Sequence, residues 1–485
     1  MSLRLSSLVV TALLAGCVLP PKESAHPEPY SESRVGLSGA AVTPAAEGWW
    51  DSFQDPQLGD LILLGLRDSP TLTQAQARVS AALAQIQSEH AGLLPSANLD
   101  ASALYQRAPA NYLISPPLAG HSFWMSQAGA SLGWDLDFWG RQAEAVHRAS
   151  DLAQAAHLDE ENARLMLAGA ITQAYVELYR QNALAEIARR SEVQRQNIVD
   201  ITRRRVKAGL DTQLEIREAE GQLPQARVAR EQAEAAAQLA VHELATLTGQ
   251  GADAYASIRP PTLAVEAALP VPADLPINLL ARRPDVLSAR MGIEAADAGR
   301  RAAKAAFYPD VSLRALAGIG AFGMSNLVEW NARGYGGGPL ISLPLFDGGK
   351  LRAEYRGSEA GLDSAIAGYN DVVLHAVQQT ADQITRIDAL ARERLDQQQT
   401  LEANEAAYKL AEERYRAGLA SYLSVLNAET QVLTARQTMV DILASQAVAR
   451  VDLLLAVGGS FDARAGGALA DRITDSPKLL TRTNP

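Results

Sequence analysis

Two rhythms of apolar and polar residues divide the chain. Between 96 and 106, Ala97, Leu99, Ala101, Ala103 and Tyr105 alternate with mostly polar Ser96, Asn98, Asp100, Ser102 and Gln106. Between 127 and 136, Ala128, Ala130, Leu132, Trp134 and Leu136 alternate with Gln127, Gly129, Ser131, Gly133 and Asp135. Residues 310–319 repeat this around Val311, Leu313, Ala315, Ala317 and Ile319. Residues 335–346 do so more weakly, with Ile341, Leu343 and Leu345 on one face. A period of two over about ten residues predicts strands long enough to cross a bilayer.

The second rhythm is helical. No proline occurs between Pro117 and Pro224, nor between Pro344 and Pro477. From 141 to 207 the chain is rich in Ala, Gln, Glu, Arg and Leu, all good helix formers. That predicts a rod of roughly 100 Å, and 350–416 predicts a second. Shorter helices are expected at 70–94 and 284–308, roughly 37 Å each, and at 212–247 and 421–456, roughly 54 Å each. Each short pair, stacked end to end, nearly matches one rod. Pro224 inside the third of these helices predicts a local kink, not a break. Rods this long outreach any small globular core, so they must pack on one another as coiled coils do.

The elements occur twice. "VKAGLDTQLEIREAEGQLPQAR" (206–227) is echoed by "YRAGLASYLSVLNAETQVLTAR" (415–436) at an offset of 209. Upstream, 69–99 matches 283–313 at an offset of 214, so the first copy carries extra residues, best placed in the loop 108–122. The duplication argues for one architecture of two halves. The first repeat spans 49–248 and the second 279–458, with a linker over 249–278. Glycines at 209 and 418 suit the left-handed turn that ends a helix.

Composition narrows the possibilities. Seven aromatic residues fall in 104–139 and six in 307–346. Clustering beside the strands suits the aromatic girdles of a transmembrane barrel. The alternative is a soluble hairpin with a Trp-rich core. A formal net charge of −11 argues against a nucleic-acid partner. Seven scattered histidines show no metal-ligand spacing. "GIGAFG" (318–323) lacks the following helix that a dinucleotide site needs, and "FDGGK" (346–350) is not a P-loop. No G-x-S-x-G occurs. Nothing here points to an enzyme or to a resident cofactor.

The N-terminus reads as a processing signal. Arg4 precedes the apolar run "LVVTALLAGC", too short to span a bilayer. Leu14-Ala15-Gly16-Cys17 resembles the lipobox of bacterial lipoproteins. The resemblance implies a signal peptide over 1–16 and diacylglycerol and palmitate on Cys17, the only cysteine. Val18 in place of aspartate implies transfer to the outer membrane. Residues 17–48 read as an extended tether, and 459–485 as a disordered tail.

"GWWDSFQDPQLGDLI" (48–62), "LDFWGRQAEA" (136–145), "LLARRPDVLSAR" (279–290), "AAFYPDVSL" (305–313) and "PLFDGGKLRAE" (344–354), with the second echo, resemble the outer membrane factors. These are TolC-like exit ducts of tripartite efflux pumps, here of the acylated NodT-type branch. The resemblance covers nearly all of 48–458. It implies an α+β membrane protein and a homotrimer, with four strands per chain in a shared transmembrane β-barrel and the rods forming a periplasmic α-barrel. It implies as partners a periplasmic adaptor, an inner-membrane efflux transporter and outer-membrane lipid.

It further implies a gate just after the second echo. Leu423 stands at the family's apolar constriction. Asn427, one turn on, replaces the usual aspartate. Leu214 and Glu218 are their first-copy equivalents, and Glu218 partly restores the acidic ring. The turns at Lys207, Gly209 and Leu210 and at Arg416, Gly418 and Leu419 are then the adaptor contacts. The plainer reading of Leu423 is a core residue between helices. A competing reading of the whole chain is a coiled-coil spacer lipoprotein, which leaves the strands unexplained; an enzyme with a Trp-rich β-domain would have no catalytic constellation.

Overall fold

A computed structural model describes residues 21–462 apart from 112–114, 117, 266–271, 273 and 324–325. Helices α1 (Pro56–Asp68) and α2 (Pro70–Ala91) lead into strands β1 (Ser96–Arg107) and β2 (Ser122–Leu136). The first rod, α3 (Arg141–Lys207), turns into α4 (Gln213–Leu247). The second half repeats the plan: α5 (Leu279–Arg282), α6 (Pro284–Ala305), β3 (Asp310–Phe322), β4 (Arg333–Ser342), the rod α7 (Lys350–Arg416) and α8 (Tyr422–Ala456). Each rod has 67 residues and so runs about 100 Å.

Both rods match the expected limits, because nothing inside them breaks a helix and a glycine ends each one. Gly209 and Gly418 have φ of 71° and 77°. In both turns the next amide reaches back five residues, Leu210 to the Arg205 carbonyl at 2.9 Å and Leu419 to Arg414 at 2.8 Å. Thr212 and Glu215 then form a capping box that starts α4. Helix α4 runs through Pro224 unbroken. Helices α2 and α6 stop at Ala91 and Ala305, three residues short of expectation, each followed by a tight turn before its proline.

The four strands form one antiparallel sheet in the order β1-β2-β3-β4. The expected strand at 335–346 is instead Arg333–Ser342, so Leu343 and Leu345 lie beyond it. Pairing ends where Ser342 meets Asp310, and Pro344 could not have donated to a longer ladder. Register makes one face continuous and apolar. Ala97, Leu132, Ala315 and Gly337 form one row; Leu99, Ala130, Ala317 and Tyr335 form the next. Leu99 is 80% exposed and Tyr335 90%, so nothing among the described residues covers this face. The opposite rows are mostly small or polar: Ser96, Gly133, Arg314, Gly338; then Asn98, Ser131, Leu316, Gly336. There the Arg314 guanidinium reaches Asp135 at 2.8 Å through space that a Cβ at Gly133 would fill.

The main core sits halfway along the rods. Phe53, Leu58 and Ile62 meet Ile171, Tyr175 and Leu178 of the first rod and Leu454 of α8. Asp55 caps α1 and also accepts from the Tyr175 hydroxyl at 2.9 Å and the Thr262 amide at 2.8 Å. The linker is not loose, for Leu263 and Val265 are buried in this core. Nor is the tether. Ser24, His26 and Tyr30 bond Glu359, Asp363 and Asn370 of α7, and the Ala45 amide bonds the Gly459 carbonyl at 3.0 Å. Gly458 and Gly459 are therefore packed structure and not the start of a loose tail; residues 463–485 lie outside the described residues, as does Cys17.

Candidate functional site

The sheet explains how one end of the molecule meets a membrane. Aromatic side chains gather at both ends of the strands. Tyr105 and Trp124 have centroids 5.4 Å apart, and Phe123 and Phe322 5.2 Å. At the other end Trp139 stacks on Tyr308 at 4.8 Å, while Trp134 and Trp139 donate to the carbonyls of Leu93 and Pro309. Trp124 and Trp134 are ten residues apart on β2. At about 3.3 Å per residue and a tilt near 40°, the belts lie about 25 Å apart, the height of an outer-membrane apolar band. Among the described residues no helix is long and apolar enough to cross a membrane.

The other end of the rods carries the two turns. Their core is Ile198 and Val199 of α3, Ile216 of α4, Tyr408 and Tyr415 of α7, and Tyr422, Val425 and Val432 of α8. Leu423 is not in it. It is 58% exposed, and Leu214 is 64% exposed. Asn427 and Glu218 are exposed one turn further on, on the same faces of their helices. Each half thus presents a leucine and a polar residue outward, and the two sets do not touch within one chain's hydrogen-bond and ion-pair network. Lys207, Gly209, Leu210, Arg416, Gly418 and Leu419 are all exposed at the turns, with Arg416 held by Glu412 at 2.6 Å.

Sequence reasoning missed the group that ties the turns together. Arg205, at the end of the first rod, pairs with Asp211 at 2.8 Å and donates to the Tyr415 carbonyl at 2.9 Å. Its guanidinium carbon lies 4.6 Å from the centroid of the Tyr415 ring. The Tyr415 hydroxyl bonds Asp211 at 2.7 Å and Thr202 at 2.8 Å, and the residue is fully buried. Hydrogen bonds from Arg205 hold the Asp211 carboxyl below the usual range despite partial burial. Burial pushes the Tyr415 phenol up to about 12, and the bond to Asp211 adds to it. One signal could have found these residues. Two of the three stand where the copies disagree: Asp211 faces Ala420 at the common offset and Tyr415 faces Val206, while Arg205 faces Arg414.

An open sheet with a lipid-compatible face, joined end-on to paired helical rods, is the protomer of a TolC-like outer membrane channel. The sequence pattern of the outer membrane efflux protein family matches residues 61–250 and 275–459, and the chain belongs to that family. It is 34% identical over 376 residues to the fusaric acid resistance protein FusA of Burkholderia cepacia, covering 74% of this chain and 70% of that one. It is 30% identical to the antibiotic efflux pump outer membrane protein ArpC of Pseudomonas putida, covering 99% of this chain and all of the other. Among solved structures, the outer membrane protein VceC of Vibrio cholerae superposes with a TM-score of 0.79 at 32% identity, over 87% of this chain and 100% of that one. Membership places the chain in the outer membrane, among channels and not enzymes.

Proposed function

We propose that three copies of this chain form the passive exit duct of a tripartite efflux pump, conducting small molecules from an inner-membrane transporter and a periplasmic adaptor to the exterior. The observation that carries this reading is the sheet. Four strands with two unpaired edges cannot close alone, and an apolar face needs lipid. Edge pairing of β1 with β4 of the next copy removes both edges. A spacer lipoprotein would have no use for that sheet. Relatives named as efflux pump outer membrane proteins support the pump role.

In this reading Leu423 and Leu214 line the far mouth of the tube, with Asn427 and Glu218 one turn inward. The exposed turns at Gly209 and Gly418 meet the adaptor. Cys17 carries diacylglycerol and palmitate. Geometry supports the anchor: Glu23 pairs with Lys304 at 2.8 Å, one residue before the end of α6 and close to β3. Cys17 stands six positions before Glu23, so the acylated end reaches at most about 22 Å from there. That is the membrane-proximal end of the rods.

The test is single-channel conductance of the purified trimer in a planar bilayer, for wild type and Leu423→Ala. A small wild-type conductance that rises in the variant supports a tube gated at α8. A large conductance indifferent to Leu423 moves the gate elsewhere. No channel from correctly folded trimer ends the duct reading.

A further inference from the structure

We propose that the buried pair Arg195–Glu429 is a register lock, positioning the gate helix α8 against the first rod. The proposal rests on the gate reading above. The Arg195 Nε lies 3.3 Å from the Glu429 Oε1, with side chains 15% and 4% exposed. The same guanidinium donates through Nη1 to the Gln222 carbonyl at 3.0 Å and to its Oε1 at 3.2 Å. One side chain of α3 thus grips α4 and α8 together, just above the turns.

Glu429 sits where an apolar residue belongs. Tyr422, Val425, Glu429 and Val432 are the buried seam of α8, spaced three, four and three. That is the spacing of a coiled-coil seam, in which a lone polar residue fixes register at a cost in stability. A buried ion pair is generally no more stabilising than well-packed apolar side chains, but removing one partner leaves an uncompensated charge. Glu429 is two residues after Asn427, about 200° around the helix. The same turn of α8 therefore carries the lock on its back and the exposed gate residue on its front. Sliding α8 along the rod by one seam position breaks the pair.

The duplication supplies an internal control, with the roles of the two halves exchanged. At the common offset, Asn404 stands for Arg195, Gln431 for Gln222 and Glu220 for Glu429. Asn404 still donates to the Gln431 carbonyl, at 3.5 Å. Glu220, however, is only half-buried and pairs with Arg203 at 3.4 Å and Arg217 at 3.1 Å. Both rods hold the carbonyl of the following helix, through Arg195 and through Asn404. Only the helix bearing Leu423 and Asn427 adds a buried acid, Glu429, to that grip.

The experiment compares purified trimers in planar bilayers: wild type, Glu429→Gln, the apolar pair Arg195→Met with Glu429→Leu, and Leu423→Ala, each with a melting curve. A lock predicts that Glu429→Gln raises the open-time fraction by about tenfold or more. It predicts that the apolar pair melts near wild type yet still opens, because stability returns without register. An apolar pair as closed as wild type overturns the lock, as does a closed Glu429→Gln beside an open Leu423→Ala. If Leu423→Ala itself stays closed, the gate reading fails first and the lock falls with it. Should Glu429→Gln not assemble, the apolar pair decides alone.

Discussion

The Tyr415 hydroxyl lies 2.7 Å from the Asp211 Oδ2, joining the two turns of one chain across 204 residues of sequence. Because Arg205 bonds both partners, the three groups form a closed set. Tyr415→Phe removes the hydroxyl and leaves Asp211 to Arg205 alone. The expected loss is about 1–2 kcal/mol of stability, read from urea unfolding of the trimer. A loss below about 0.3 kcal/mol would mean that water already satisfies Asp211.

The same contact sets a dependence on pH. The depressed Asp211 carboxyl contributes stability in full above its unfolded value of about 3.9, and that contribution fades as pH falls through the folded value. Asp211→Asn removes it. The gap in Tm between wild type and Asp211→Asn should be steady from about pH 7 to 5 and close below about pH 4. A gap that persists in strong acid would show that the variant acts by packing, not by charge.

Neighbouring positions on α8 should behave oppositely. Val425 is 1% exposed and belongs to the turn core, while Leu423 is 58% exposed. Val425→Ala should cost about 1–3 kcal/mol, and Leu423→Ala well under about 1 kcal/mol. Their ranking should reverse in conductance. Equal destabilisation by both would return Leu423 to the status of a core residue.

On the sheet, neighbouring residues of β1 separate lipid from lumen. Leu99→Arg places a charge on the apolar face and should cost about 2–4 kcal/mol in lipid vesicles, whereas Asn98→Arg should cost little. Similar costs at the two positions would contradict the assignment of faces.

For the anchor, wild-type cells fed labelled palmitate should label the protein, and Cys17→Ala should abolish the label. The Cys17→Ala channel should still insert through its barrel. Labelling that survives the substitution would place the acyl chain elsewhere.

Rods, turns and β1 to β3 were legible because each carries its own local signal: helix formers without proline, a repeated Ala-Gly-Leu, strict alternation. β4 was harder. Gly334, Gly336, Gly337 and Gly338 have no side chains with which to alternate. Only Gly337 is crowded, for a Cβ there would stand 3.0 Å from the Arg314 carbonyl oxygen, whereas Gly334, Gly336 and Gly338 face open space. The candidate gate positions Leu423 and Asn427 came from the family resemblance, and the duplication added only Leu214 and Glu218 as their first-copy equivalents; the ties around them had no such signal. Arg205 and Tyr415, or Arg195 and Glu429, are brought together only by the packing of helices from opposite halves. Composition made 17–48 look like a free linker because the bonds of its described part are to distant residues, among them side chains of a helix more than 300 residues away.

That strap also orders events in time. Its contacts with Glu359, Asp363 and Asn370 span 335 to 340 residues, and Ala45 waits for Gly459. A chain that emerges N-terminus first must therefore hold its earliest segment unpaired until nearly everything else has arrived. Contacts this distant make assembly slow and leave adhesive intermediates. One stitch of the fold joins Ala45 to a carbonyl that lies past the final helix, so a nascent chain that stops before Gly459 leaves that strap unfastened at one end.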